Sequence, residues 1–275
     1  MENIPQFSYF ATCPRGLELL LGEELSRLGA LATRPLAGGV AFNADLAGCY
    51  RANLHSRLAT RVLRRLETQP YRNERDVYSI AKAIPWHSYF SQTQTLRVDL
   101  TATRSPLKSL DFATLRIKDA ICDRFRDQHG VRPNVDTRAP DVRISAYLDA
   151  QRITLYLDTS GEPLYKRGYR AQSVEAPLRE NLAAGVISLS GWQPEETLLD
   201  PMCGGGTLIA EAAMIGRHIA PGLGRGFGFE RLADFDGVLW SRLREQAMAE
   251  RRTDVRLSLY ASDLLQLMGQ VICLK

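Results

Sequence analysis

The stretch Thr197-Leu198-Leu199-Asp200-Pro201-Met202-Cys203-Gly204-Gly205-Gly206-Thr207, followed by Leu208-Ile209-Ala210-Glu211-Ala212-Ala213-Met214-Ile215, limits the fold more than any other part of this chain. An apolar run ends in an acid, a glycine-rich turn follows, and an alanine-rich segment resumes at once, which predicts strand, tight loop and helix. Glycines let the backbone come close to a ligand where a Cβ would collide, and the first turn of the next helix presents N–H groups to a carboxylate or phosphate. The loop lacks the Lys beside its last glycine that a phosphate-cradling P-loop needs, because Gly206 is followed by Thr207 and Leu208. It also lacks the third glycine of a G-x-G-x-x-G dinucleotide turn. A cofactor loop of another kind and a plain strand-to-helix turn both remain open on this stretch alone.

Composition narrows the class. With 275 residues, 45% hydrophobic and 24% charged, the chain can bury a sizeable core and is expected to hold two or three domains. No apolar run approaches the roughly 18 residues of a bilayer span, and Met1-Glu2-Asn3-Ile4-Pro5 lacks the basic-then-apolar plan of a signal peptide. A soluble, cytoplasmic protein with no membrane partner is therefore expected. Cys13, Cys49, Cys122, Cys203 and Cys273 are widely spaced with no C-x-x-C pair, which predicts reduced, mostly buried thiols and neither a disulfide framework nor a metal site. Cys203 has no nearby His and reads as a small residue packed under the glycine loop rather than a nucleophile. Charge is unevenly divided, with 25 Lys and Arg against 18 Asp and Glu through Arg170, and 10 against 13 after it. A basic region ahead of a mildly acidic one fits a grip on a polyanion, and fits equally a solvated basic surface.

Along the chain, Leu17, Leu20, Leu21, Leu25 and Leu28 share one face of a helix predicted over about Pro14 to Leu28, with Thr12 as cap and Gly29 as stop. Val40-Ala41-Phe42-Asn43 reads as strand. Leu54, Leu58, Val62 and Leu66 step by four and predict a second helix that places Arg57, Arg61, Arg64 and Arg65 on its sides and outer face, for RNA or simply for water. Leu96, Val98 and Leu100 alternate in a half-buried strand, after which Asp111 is expected to cap a helix running to about His129 with Gly130 as stop. Val142 to Leu148 and Ile153 to Leu157 alternate on either side of Asp149-Ala150-Gln151, the pattern of an antiparallel hairpin. Ala220-Pro221-Gly222-Leu223-Gly224-Arg225-Gly226-Phe227-Gly228-Phe229 reads as a flexible loop near the substrate side, or merely a linker.

An acid at a strand end followed by a glycine turn is what class I S-adenosylmethionine methyltransferases use around the amino-acid half of their cofactor. Together with Leu157-Asp158-Thr159-Ser160-Gly161-Glu162-Pro163-Leu164-Tyr165-Lys166-Arg167-Gly168-Tyr169-Arg170, with Ala176-Pro177-Leu178-Arg179-Glu180-Asn181-Leu182-Ala183-Ala184, and with Ala11-Thr12-Cys13-Pro14-Arg15-Gly16-Leu17-Glu18, the loop resembles one family in block order. These are the THUMP-containing bacterial methyltransferases that modify a guanine of 23S large-subunit ribosomal RNA, whose members are often labelled adenine-specific DNA methylases. The resemblance implies an α+β N-terminal region, ferredoxin-like over 1–70 plus a THUMP domain over 71–165, followed by an incomplete α/β, Rossmann-like class I methyltransferase domain over 171–275. It implies S-adenosylmethionine as cofactor, held by Asp200, Pro201, Gly204, Gly206 and Thr207, with Asp263 taking the ribose hydroxyls and Asn181 on the helix that packs beside the cofactor. It implies a structured RNA partner, with Lys118, Arg124, Arg132, Arg138, Lys166, Arg167 and Arg170 as candidate contacts. Any one of these cations could instead pair with Asp119, Asp123 or Asp127.

Methyl transfer to an exocyclic amine needs no covalent intermediate, only alignment of amine, methyl and sulfur in a water-poor pocket. In the family an Asn-Pro-Pro-Tyr segment holds the amine and stacks on an extruded base. The 275 residues contain no adjacent pair of prolines, so no catalytic residue is assigned. A class I domain takes roughly 200 residues and 105 follow Arg170, which predicts a truncated domain whose exposed faces weaken stability and cofactor binding; the segment Leu264 to Lys275 also departs from the family's alanine-rich helix. The expectation is an RNA guanine-N2 methyltransferase by resemblance, inactive alone. An RNA-binding module without catalysis and an adenine-specific DNA methyltransferase are the alternatives.

Overall fold

The computed structural model describes residues 5–169 and 177–263. Its first six elements alternate as strand, helix, two strands, helix and strand: β1 (Phe7–Thr12), α1 (Glu18–Arg27), β2 (Leu31–Leu36), β3 (Gly39–Ala44), α2 (Leu46–His55) and β4 (Arg61–Pro70). The strand order β2-β3-β1-β4 is the ferredoxin-like arrangement expected from the resemblance. Next come α3 (Glu74–Ala83), β5 (Leu96–Ala102), α4 (Leu110–His129), β6 (Val142–Leu148) and β7 (Arg152–Asp158), in the part expected from the resemblance to be THUMP. The two parts do not form separate sheets. β4 pairs antiparallel with β7 from Leu63↔Asp158 to Pro70↔Arg152, so one seven-stranded sheet runs β2-β3-β1-β4-β7-β6-β5.

Burial follows the pleat. Tyr9 and Ala11, Val40, Phe42 and Ala44, and Ile144, Ala146 and Leu148 all point to one buried face. Helix ends are closed by local chemistry. Asp45 accepts from Gly48 N at 2.7 Å and Asn73 from Arg75 N at 2.9 Å. The predicted cap Asp111 is corrected to Ser109, which accepts from Phe112 N at 3.2 Å, while Gly130 ends α4 at φ +74 as expected.

Two further expectations are overturned. The first helix begins at Glu18 and not at Pro14, and Thr12 ends β1 with no capping role. Gly16, at φ +92, turns the chain between them. The helix predicted through Leu54–Leu66 stops at His55, and Arg61–Pro70 is strand. A spacing of four is even as well as nearly one helical turn, so Leu58, Val62 and Leu66 fit a two-residue period too. The neighbours β1 and β7, each offering an edge, settle the choice.

The remaining part contributes α5 (Glu180–Ser190), β8 (Leu198–Asp200), α6 (Thr207–Gly216), α7 (Gly237–Ala249) and β9 (Leu259–Ala261), with β8 and β9 parallel. Its segment 220–240, which includes the glycine-rich stretch expected to be a flexible loop or linker, folds back and packs on the N-terminal part. Phe227 and Phe229 stack at 5.2 Å, Trp240 meets them edge-on at 5.5 and 5.0 Å, and Phe229 stacks on Tyr50 of α2 at 4.2 Å. Gly228 lies against the carbonyl of Asp158, where a Cβ would come within 2.9 Å, which explains a glycine there. Arg225 donates to the carbonyls of Ser160 at 3.2 Å and Lys166 at 3.4 Å and also to those of Glu162 and Pro163. Truncating the buried Trp240 to Ala is expected to cost about 3–5 kcal/mol, read as a lower midpoint in urea unfolding, together with faster amide exchange in α2.

Candidate functional site

The glycine loop sits where two acids converge. β8 ends at Asp200, and Asp263 follows β9 by two residues. Beyond the strands the backbones remain tied, with Ser262 N donating to Asp200 O and Cys203 N to Ser262 O, both at 3.0 Å. The Asp263 carboxylate accepts from Gly204 N at 2.8 Å, and the Asp200 carboxylate accepts from Met202 N at 3.2 Å. Asp263 and the glycine turn, 59 residues apart in sequence, are thus brought into direct contact.

Backbone conformation explains the glycines. Gly204 and Gly206 have φ of +50° and +72°, a region costly for residues with a Cβ. A Cβ on Gly204 would meet nothing within 4 Å, so open space lies over the loop. Pro201, Met202, Gly204 and Gly205 are exposed, whereas Cys203, Gly206 and Thr207 are buried beneath them. α6 starts directly from Gly206, and its first-turn N–H groups face the side where a ligand carboxylate is stabilised by the helix dipole. Carboxylates at two strand ends, an open glycine lip and a helix N-terminus fit a nucleoside carrying an amino-acid tail. The Cys203 thiol is pushed up by burial and then by the charges of Asp200 and Asp263, which keeps it protonated and a poor nucleophile.

Asn181 does not touch this loop by any described hydrogen bond. It is fully buried, and its Nδ2 donates to Leu58 O at 3.3 Å and Thr60 Oγ1 at 3.0 Å. It fastens α5 to the turn entering β4.

Arg167 is corrected from RNA contact to buried joint. Its side chain is 1% exposed and its guanidinium is engaged bidentately by Glu211 of α6, at 3.2 and 3.3 Å. It also donates to Leu164 O at 3.1 Å and Arg57 O at 2.7 Å. Tyr169 donates to Glu211 at 3.0 Å, and its phenol is pushed up by burial and by that carboxylate. Arg57 caps the far end of α6 through Met214 O at 3.2 Å and Ile219 O at 2.8 Å. Sequence reading missed Glu211, although a lone acid inside Leu208-Ile209-Ala210-Glu211-Ala212-Ala213-Met214 was the available signal. Arg61 and Arg64 are likewise tied down, to Asp158 and Asp234.

The other expected RNA contacts are more accessible. Lys118 pairs with Asp119 at 2.8 Å, Arg132 with Asp123 at 2.9 Å and Lys166 with Glu162 at 2.5 Å. Arg124 is half-buried, and Arg138 is exposed with no ion pair among the described residues. Arg170 and Leu264–Lys275 lie outside the described residues, and no helix of the described residues is long and apolar enough to cross a membrane.

Three family models match in succession: an RlmL ferredoxin-like domain over 8–63, a THUMP domain over 71–158 and an RMKL-like methyltransferase domain over 167–271. A ribosomal RNA large subunit methyltransferase K/L of Cellvibrio japonicus is 46% identical over 89% of the chain and 33% of its own length. The chain spans about a third of the length of such curated relatives. A solved protein of Listeria monocytogenes, named as a predicted N6-adenine-specific DNA methylase, is 32% identical at TM-score 0.85, with 94% of this chain and 68% of that one covered. Another, described as a methyltransferase complexed with SAH, is 31% identical with the same TM-score, 0.85, and the same coverage, 94% and 68%.

Alkylation of the native protein at neutral pH is expected to leave Cys203 unmodified, with labelling only after unfolding, as mapped by peptide mass spectrometry. Arg167→Ala strands Glu211 in the interior and is expected to cost about 3–5 kcal/mol of unfolding free energy.

Proposed function

The chain belongs to the family of methyltransferases that carry a THUMP domain ahead of an RMKL-like methyltransferase domain, and on that premise we propose that it binds S-adenosylmethionine and structured ribosomal RNA as part of a 23S guanine-N2 methylation activity. The observation that carries the cofactor assignment is the contact of Gly204 N with the Asp263 carboxylate beside Asp200. When bound, the cofactor supplies an electrophilic methyl on a sulfonium. In this reading Asp263 accepts from the ribose hydroxyls, Asp200 and the first turn of α6 receive the amino-acid half, and Pro201, Gly204, Gly206 and Thr207 shape the lip. Asn181 acts at one remove by holding α5 in place.

RNA is gripped by the basic N-terminal half, with Lys118, Arg124, Arg132, Arg138 and Lys166 meeting phosphates that position rather than specify. The domain limits proposed are 1–70, 71–165 and 171–275, the first two sharing one sheet. No Asn-Pro-Pro-Tyr segment occurs in the 275 residues, so binding of both ligands without methyl transfer is the expected behaviour of this sequence alone. The RNA-binding THUMP part favours RNA over DNA as partner.

Calorimetric titration with S-adenosylhomocysteine tests the cofactor site. Asp263→Asn should weaken binding by roughly 10-fold or more, the worth of one charge-assisted hydrogen bond, while an Arg138→Ala control leaves it unchanged. Equal affinity in Asp263→Asn and the parent chain would remove the assignment.

A further inference from the structure

The seven-stranded sheet has two faces, and among the described residues helices cover only one of them. The helix-covered face holds Tyr9, Phe42, Ile144 and Leu155. On the other face the pairing register places residues in rows. One row runs Arg34, Ala41, Phe10, Leu63 and Asp158 across β2, β3, β1, β4 and β7. The next contains Arg65, Tyr156, Ser145 and Asp99 across β4, β7, β6 and β5, and a third contains Thr68, Thr154, Tyr147 and Thr101. Leu63 and Asp158 are buried, but Phe10 and Tyr156 are half-buried and Arg34, Arg65, Tyr147 and Thr101 are exposed.

The aromatic residues of this face lie on β1, β7 and β6, with Phe10 and Tyr156 flanking β4 and Tyr147 on the strand next to Tyr156, and none of them is fully buried. Phe10 and Tyr156 lie 6.4 Å apart, centroid to centroid, and Tyr147 is 38% exposed one row further along. The charges of the face are unbalanced in a specific way. Asp99 is paired with Arg97 at 2.7 Å and Arg143 at 3.8 Å, and Asp158 is paired with Arg61. Arg34 and Arg65 have no ion pair among the described residues. An uncovered sheet with spaced aromatic rings, hydroxyls between them and unpaired guanidinium groups complements splayed bases on an anionic backbone, because every base offers a flat face for stacking and every phosphate a charge. A duplex hides its base faces and cannot use the rings.

We propose that this open face docks unpaired RNA nucleotides, with bases stacked on Phe10, Tyr156 and Tyr147 and phosphates met by Arg65 and Arg34. The inference rests on the RNA-binding reading above and adds to it a second surface, distinct from that of Lys118 on α4 and Arg132 just beyond its end, which are already paired with acids.

The test measures binding of a fluorescein-labelled, unstructured uridine oligoribonucleotide to the full chain by anisotropy, with unlabelled oligomer and duplex RNA as competitors. Tyr147→Ala and Arg65→Ala, both at exposed positions, should each weaken binding roughly tenfold. Tyr147→Phe should retain it, and Arg27→Ala, at an exposed position of α1, should leave it unchanged. Ultraviolet crosslinks should map to peptides of β1, β6 and β7. If the parent chain binds the oligomer and the two alanine variants bind as well as it does, the sheet face is not the site, although the RNA-binding reading stands. If duplex RNA competes as effectively as the unpaired oligomer, stacking is ruled out. If the parent chain binds neither RNA, both the inference and the RNA part of the proposed function fall together.

Discussion

Glu211 and Arg167 meet in the interior, where each would be costly alone. A carboxylate and a guanidinium removed from water are tolerated when their geometry is good and their remaining donors are satisfied. Here the pair is bidentate, and the guanidinium also reaches the carbonyls of Leu164 and Arg57. Apolar side chains of similar volume could hold the same layers together, but they would tolerate sliding. A forked donor matched to a forked acceptor fixes angle as well as distance. The helix that carries Glu211 begins at the glycine loop, so the joint sets the direction in which that loop faces relative to the sheet.

The sheet itself provides the lever arm. β4 is ten residues long and pairs with β1 near its start and with β7 along most of its length. A strand shared in this way makes the ferredoxin-like and THUMP parts one rigid layer. At the end of that layer Asn53, Thr159 and Ser160 form a buried polar knot, with Asn53 Nδ2 to Thr159 Oγ1 at 3.0 Å and Ser160 Oγ to Asn53 Oδ1 at 2.6 Å. Arg225 and the aromatic group around Trp240 lock the following segment against it. The sheet and the part that carries the glycine loop are therefore joined by packed contacts.

Several elements were legible from local pattern. The hairpin of β6 and β7, the long helix ending at Gly130 and the strand, loop and helix around Asp200 each carry a period or a stop that needs no partner to be read. Leu58, Val62 and Leu66 misled because their spacing satisfies two periods at once. Gly222 to Phe229 misled because glycine marks both mobility and close approach, and only the neighbouring backbone of Asp158 and Gly161 tells which. Arg167 looked like a surface cation because charge in a sequence carries no record of its burial.

The order of the chemistry along the chain was set by sequence alone: an acid and glycine turn, a second acid after the next strand, and a basic region ahead of both. Such features are local, since they depend on what one residue does to its own backbone or on simple charge. Tertiary structure decided which cations are available, by burying Arg167 and Arg64, tying the half-buried Arg57 to the carbonyls of Met214 and Ile219, and leaving Arg34, Arg65 and Arg138 outside. It also decided that Asp263 meets Gly204, and that much of one sheet face stays open among the described residues. These outcomes depend on pairing between strands distant in sequence, where register, not composition, determines which side chains share a surface.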